Sequence, residues 1–310
     1  MTSFEESNPR DVPLELVHQV VRRFFPEIQE SEVRFHYHGT YNVFEVKGEY
    51  IFRFPGRSLF GEEGFDLIRR ENEVLELLRP HLNVEIPRFQ FLTDDPTTPF
   101  AGYRKIPGVS LSRCFEGASR GQRRAIAEWL GGFLTELHSD RVLAEFKERF
   151  PSDFTLDWYR RYWERWLHDI REKVFPALNA RQRGWTSDLL KGFIGDSDNF
   201  RFPPRVVHGD FDTSNVLVDP GSYDVTGVID FEEARIWDPA ADLLFFGEGE
   251  TFIEDMLTSY SLQLGPNLEE RRLFLMKRIP LVYIMWGLDN GHRGMVTAGF
   301  EMLEHRMRAY

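Results

Sequence analysis

The chain has 310 residues, 42% of them hydrophobic and 15% aromatic, with a formal net charge of −12. That is enough apolar material for a large core and two lobes, and it excludes a disordered protein. The acidic balance argues against a general nucleic-acid binder and suits a polycationic small ligand gathered by electrostatic focusing, although ordinary solubility charge has the same composition. The lone Cys114 excludes an internal disulfide and fits a reducing cytoplasm, the expected location. No run approaches the length of a transmembrane helix, so no membrane partner is expected. The opening MTSFEESNPRDVP has no apolar stretch of the kind a secretory signal needs.

In chain order, Leu14, Val17, Val21 and Phe25 recur at helical spacing until Pro26 ends the run. Three β segments follow at Val33 to His38, Asn42 to Val46 and Tyr50 to Phe54, with Gly39 and Gly48-Glu49 at the turns. A helix is predicted from Phe65 to Leu78, carrying Leu67, Glu71, Val74 and Leu78. Extended chain returns at Phe89 to Leu92 and Phe100 to Ile106, which makes a small, mainly antiparallel sheet with one crossing helix. Beyond Pro107-Gly108 the pattern turns helical. Ile126, Trp129, Phe133 and Leu137 form one apolar face, and Tyr159, Trp163, Trp166 and Ile170 form another, expected to be core. The lobe boundary is placed near Pro107-Gly108.

The chemistry is concentrated in His208-Gly209-Asp210-Phe211-Asp212-Thr213-Ser214-Asn215, between the apolar runs Arg205-Val206-Val207 and Val216-Leu217-Val218. Asp230 follows fifteen residues past Asn215, after a short hairpin. An Asp, an Asn five residues on and a later Asp supply one base and two oxygen ligands. That set can activate a hydroxyl and hold Mg²⁺ on ATP or GTP, with the spacing of a protein-kinase catalytic loop. Asp210 is the candidate base; Asn215 and Asp230 are the candidate metal ligands. Asp and Asn after a strand also serve as turn and capping residues, but the combined spacing is harder to reach by chance.

These residues carry a family resemblance. The chain resembles the aminoglycoside phosphotransferases, small-molecule kinases of the protein-kinase-like fold, over most of its length. Phe100-Ala101-Gly102-Tyr103-Arg104-Lys105-Ile106-Pro107-Gly108-Val109-Ser110-Leu111 and Phe133-Leu134-Thr135-Glu136-Leu137-His138-Ser139 resemble the 2''-phosphotransferase branch. Ile229-Asp230-Phe231-Glu232-Glu233-Ala234 and Asp238-Pro239-Ala240-Ala241-Asp242 resemble the wider family. The resemblance implies an α+β, bilobal fold: a small antiparallel-sheet nucleotide-binding lobe over 1–106 and a larger, mainly helical catalytic and substrate-binding lobe over 107–310. It implies that His208 and Asp242 brace the catalytic loop, and that the backbone around Arg104 and Ile106 binds the purine. Rate would come mainly from alignment and charge stabilisation.

One position departs from the kinase pattern. The third-strand Lys that holds nucleotide phosphates is here Arg53, with Glu71 as its expected helix partner and Glu73 as runner-up. The competing reading of Arg53 is an exposed strand charge. The turn His38-Gly39-Thr40-Tyr41-Asn42 also lacks a full glycine-rich loop. For a cationic aminoglycoside acceptor, Asp212, Glu233, Glu248 and Glu250 are the candidate contacts, though acids in a first helical turn are favoured by the macrodipole alone. The implied reaction is O-phosphorylation at a 2'' hydroxyl by a monomer, with a dimer as the alternative. Other readings are a kinase of a macrolide, a choline-like compound or a metabolite, and a nucleotide-binding pseudokinase. A metal-dependent hydrolase fits less, because no His or Cys cluster has zinc spacing.

Overall fold

The computed structural model describes residues 11–309; the first ten residues of the opening segment, where no secretory signal was expected, lie outside them. The regular elements begin with α1 (Leu14–Arg22), β1 (Val33–His38), β2 (Tyr41–Val46), β3 (Tyr50–Pro55), α2 (Glu62–Leu78), β4 (Phe89–Leu92), β5 (Ala101–Arg104) and β6 (Val109–Ser110). They continue with α3 (Arg120–Leu137), α4 (Asp140–Arg149), α5 (Leu156–Asp169), α6 (Ala180–Gly195), β7 (Arg205–Val207), β8 (Val216–Val218), β9 (Val225–Val228) and β10 (Arg235–Trp237). Four helices finish the chain: α7 (Glu250–Ser259), α8 (Leu268–Lys277), α9 (Ile279–Asp289) and α10 (Arg293–Ala309). The fold class is α+β. Among the described residues no helix is long and apolar enough to cross a membrane.

Packing divides these elements into two compact units that do not follow a single cut at Pro107-Gly108. One runs to Gln122 and adds Thr213–Glu233; the other comprises Arg123–Asp212 and Ala234 onward. In the first unit an antiparallel sheet has the order β1-β2-β3-β5-β4, and a smaller ribbon has the order β6-β8-β9. The β2–β3 turn takes left-handed backbone at Lys47 (φ 56°) and Gly48 (φ 69°), which glycine adopts without steric cost. On β3, Phe52 and Phe54 face a core shared with Val17, Val20, Val21, Phe44 and Phe100. Alternation along a strand then sends Ile51 and Arg53 to the opposite face.

The second unit holds the β7–β10 pair and most of the helices. Tyr159, Trp163, Trp166 and Ile170 are buried in its core with Phe193 and Phe274, whose rings stack at 3.7 Å. The tryptophan stripe is therefore core, as its helical spacing predicts. Burying each such aromatic contributes on the order of 2–3 kcal/mol. On α3, Ile126, Phe133 and Leu137 are buried, while Trp129 is only half-buried and stacks on Phe133 at 5.8 Å.

Candidate active site

The first unit carries a buried ionic cluster around Arg53. The inward stripe of α2 reads Gly64, Ile68, Glu71, Val74, Leu75 and Leu78, so helical spacing points Glu71 into the interior like its apolar neighbours. There it meets the strand: Arg53 Nη1 lies 2.7 Å from Glu71 Oε1, with the two side chains 6% and 1% exposed. These exposures exclude the reading of Arg53 as a surface strand charge. Arg53 Nη2 also donates to Asp230 Oδ1 at 3.0 Å and approaches Glu232 Oε2 at 4.0 Å. Burial alone would lower the Arg53 pKa, but the Glu71 and Asp230 carboxylates outweigh it and hold the guanidinium well above its ordinary value. Glu232 responds the other way. Burial, reinforced by the Asp230 charge, pushes its carboxyl up to about 8 against the pull of Arg53.

Asn215 and Asp230 flank the β8–β9 ribbon of the same unit. Val216 pairs with Val228, and the Ile229 N–H donates to the Asn215 carbonyl at 2.9 Å, so both residues leave the ribbon at one end. Asp230 has left-handed backbone (φ 73°), a conformation Asp tolerates better than most residues. An amide oxygen and a carboxylate are the hard donors that Mg²⁺ prefers, and Mg²⁺ fills its remaining positions with water and phosphate oxygens. A carboxylate has lone pairs enough to serve both Arg53 and a metal. The residues present thus fit such an ion.

The second unit carries the Asp210 loop, built from both sides. Upstream, Gly209 adopts φ 89°, and its N–H and that of His208 donate to Asp242 Oδ1 and Oδ2 at 2.9 and 2.7 Å. Burial disfavours the Asp242 carboxylate, yet hydrogen bonds from His138 and the backbone win and hold its carboxyl below the usual range. His138 Nε2–H donates to Asp242 Oδ2 (3.1 Å), and its Nδ1 pairs with the Tyr260 hydroxyl (3.0 Å). Downstream, buried Phe211 packs on Phe133 (5.3 Å) and Phe245 (5.6 Å). Between these anchors Asp210 stands exposed, its N–H donating to His208 Nδ1 at 3.4 Å. A fixed backbone presenting an exposed carboxylate is the arrangement a general base requires.

The remaining predicted residues are placed less tightly. Arg104 ends β5, its backbone opposite Tyr50, with the side chain exposed; Ile106 is buried. Glu233 is exposed in the first unit. Asp212 is exposed and Glu248 half-buried in the second, where Glu250 begins α7. The structure thus gathers Arg53, Glu71 and Asp230 into one cluster and does not gather the four acids in the same way. Sequence reasoning missed His138 and Tyr260. The signal available was a polar residue directly after an apolar helical face ending at Leu137. It also missed Glu232, which stands where a protein kinase carries the glycine of Asp-Phe-Gly.

A small antiparallel sheet with one crossing helix, together with a mainly helical unit bearing the Asp210 loop, defines a protein-kinase-like architecture. The chain belongs to the phosphotransferase enzyme (APH) family, whose model matches residues 32–274. It is 31% identical over 195 residues to the aminoglycoside 3'-phosphotransferase of Streptomyces fradiae, a match covering 62% of this chain and 65% of that relative. The chain therefore spans just under two thirds of that curated relative's length. Among solved structures, the GDP complex of wild-type aminoglycoside 2'-phosphotransferase-IIIa has TM-score 0.83 and 23% identity, covering 96% of this chain and 100% of that one. The apoenzyme of macrolide 2'-phosphotransferase MphH from Brachybacterium faecium has TM-score 0.70 and 19% identity, covering 93% and 98%. At these identities the two structures establish a shared fold.

Proposed function

We propose that the chain is a small-molecule kinase that moves the terminal phosphate of ATP or GTP to a hydroxyl of an aminoglycoside, at the 2'' position. The observation that carries this reading is the Arg53–Glu71–Asp230 cluster: a buried cation on the third strand, paired both to a helix Glu and to the Asp after the hairpin. In this reading Arg53 draws nucleotide phosphates as a planar fork, and Glu71 keeps it in place. Asn215 and Asp230 hold Mg²⁺, which when bound neutralises charge on the phosphate oxygens. Asp210 orients the acceptor hydroxyl and accepts its proton as the oxygen–phosphorus bond forms and the nucleoside diphosphate leaves. His208 and Asp242 keep that loop rigid, while the backbone at Arg104 and Ile106 takes the purine. Asp212, Glu233, Glu248 and Glu250 are assigned to the ammonium groups of the acceptor.

Family membership and the Streptomyces fradiae relative support an aminoglycoside acceptor. The GDP complex of the structural neighbour supports GTP as a donor beside ATP. The relative's name specifies the 3' position, so regiochemistry is the detail to test first. Purified protein, Mg²⁺ and either nucleotide are incubated with kanamycin, and the product is located by NMR. A 2''-phosphate is expected; a 3'-phosphate overturns that assignment. Phosphorylation of erythromycin and no aminoglycoside would replace the acceptor by a macrolide, the reading the second structural neighbour favours.

A further inference from the structure

Tyr41 opens β2 at the turn that lacks a full glycine-rich loop. Val43 pairs with Arg53 across β2 and β3, so Tyr41, two residues earlier, lies on the same face as Arg53. The contact is direct, with the Arg53 guanidinium carbon 4.0 Å from the Tyr41 ring centroid. Tyr41 is only 4% exposed, and its hydroxyl is buried with no hydrogen-bond partner among the described residues. A buried hydroxyl left unpaired is a standing cost that folded proteins seldom carry without a reason. Burial, followed by the Glu71 charge, holds this phenol far above its ordinary pKa. It therefore keeps its proton and is a donor with no acceptor among the described residues. Through its contact with Arg53 it lies beside the ionic cluster that Arg53 forms with Glu71 and Asp230.

We propose that Tyr41 is a phosphate-binding residue, its hydroxyl donating to a nonbridging phosphate oxygen of the nucleotide that Arg53 engages. This rests on the kinase reading above. It also accounts for arginine at a position where kinases carry lysine. A planar guanidinium stacks on an aromatic face while its edges serve carboxylates and phosphates, whereas an ammonium offers only a point charge. Tyr41 and Arg53 then act as a pair, the ring holding the fork in plane and the hydroxyl adding one donor beside it.

The test is Tyr41→Phe, which keeps the stacked ring and deletes one oxygen. Binding of ATP and GTP, and of adenosine and guanosine, is measured by calorimetry without acceptor, so the result does not depend on the aminoglycoside assignment. The variant should bind triphosphates about tenfold or more weakly, as expected for loss of a hydrogen bond to a charged group. It should bind the nucleosides like the parent. Its urea midpoint without nucleotide should equal or exceed the parent's, because no hydrogen bond to a described residue is lost. Unchanged triphosphate affinity overturns the proposal. So does an equal loss for nucleoside and triphosphate, or a lowered midpoint, since either makes the hydroxyl a structural group. Failure of the parent to bind any nucleotide removes this proposal and the kinase reading together.

Discussion

Replacing Glu71 by Gln preserves shape and one acceptor oxygen but removes the charge 2.7 Å from the Arg53 guanidinium. Removing one partner of a buried pair costs roughly 3–5 kcal/mol, because the other charge is left uncompensated. Here the cost is moderated. Arg53 keeps Asp230 at 3.0 Å and Glu232 at 4.0 Å, but Asp230 is 35% exposed and partly screened by water. The low end of the range, about 3 kcal/mol, is therefore expected. With a urea dependence of about 2 kcal/mol per molar, the far-UV circular dichroism midpoint should fall by ~1.5 M at unchanged slope. Hydrogen exchange locates the effect: amides of β3 and α2 should exchange about a hundredfold faster, provided they open through the destabilised state. A midpoint shift below ~0.25 M, the behaviour of a surface pair, would refute the account of Arg53 as a buried cation that depends on Glu71.

Two further outcomes are expected. A Cβ on Gly131 of α3 would stand 2.0 Å from the Met256 carbonyl oxygen, so Gly131→Ala should destabilise its unit by about 1–3 kcal/mol. All seven tryptophans lie in that unit, and an unchanged midpoint by tryptophan fluorescence would contradict the packing. Asp242, with its folded-state pKa held below the unfolded value, contributes stability that is present above about pH 4 and lost as pH falls through the folded pKa. Asp242→Asn should flatten the acid limb of the stability–pH curve, and it should also lower stability at pH 7 by about 1–3 kcal/mol through a lost acceptor. Parallel acid limbs in parent and variant would show that Asp242 titrates as in the unfolded chain.

What was legible in the sequence was local. Strands β1 to β4 and helix α2 declared themselves through alternation, helical spacing and glycine turns, because those signals arise from neighbours in the chain. Glu71 was legible as an acid placed in an apolar helical stripe, and Arg53 as a cation in an otherwise apolar strand. The hairpin Thr213–Glu233 was readable as a hairpin, but its packing with the sheet-bearing unit is a long-range event with no local mark. The same holds for His138, which reaches Asp242 and Tyr260 across more than a hundred residues. Tyr41 was legible only as a residue of the turn before β2. Only the β2–β3 register, which brings it over Arg53, reveals a phenol that no described residue hydrogen-bonds.

The most direct test of the central claim is Mg²⁺-dependent release of nucleoside diphosphate from ATP and from GTP, measured with and without kanamycin, tobramycin, gentamicin and neomycin, for the parent and Asp210→Asn. Aminoglycoside-stimulated release that falls by two orders of magnitude or more in the variant, the loss of a general base, is the predicted result. Stimulated release that survives in Asp210→Asn contradicts the assigned base, and the absence of stimulation by every aminoglycoside, with nucleotide binding intact, contradicts the assigned acceptor.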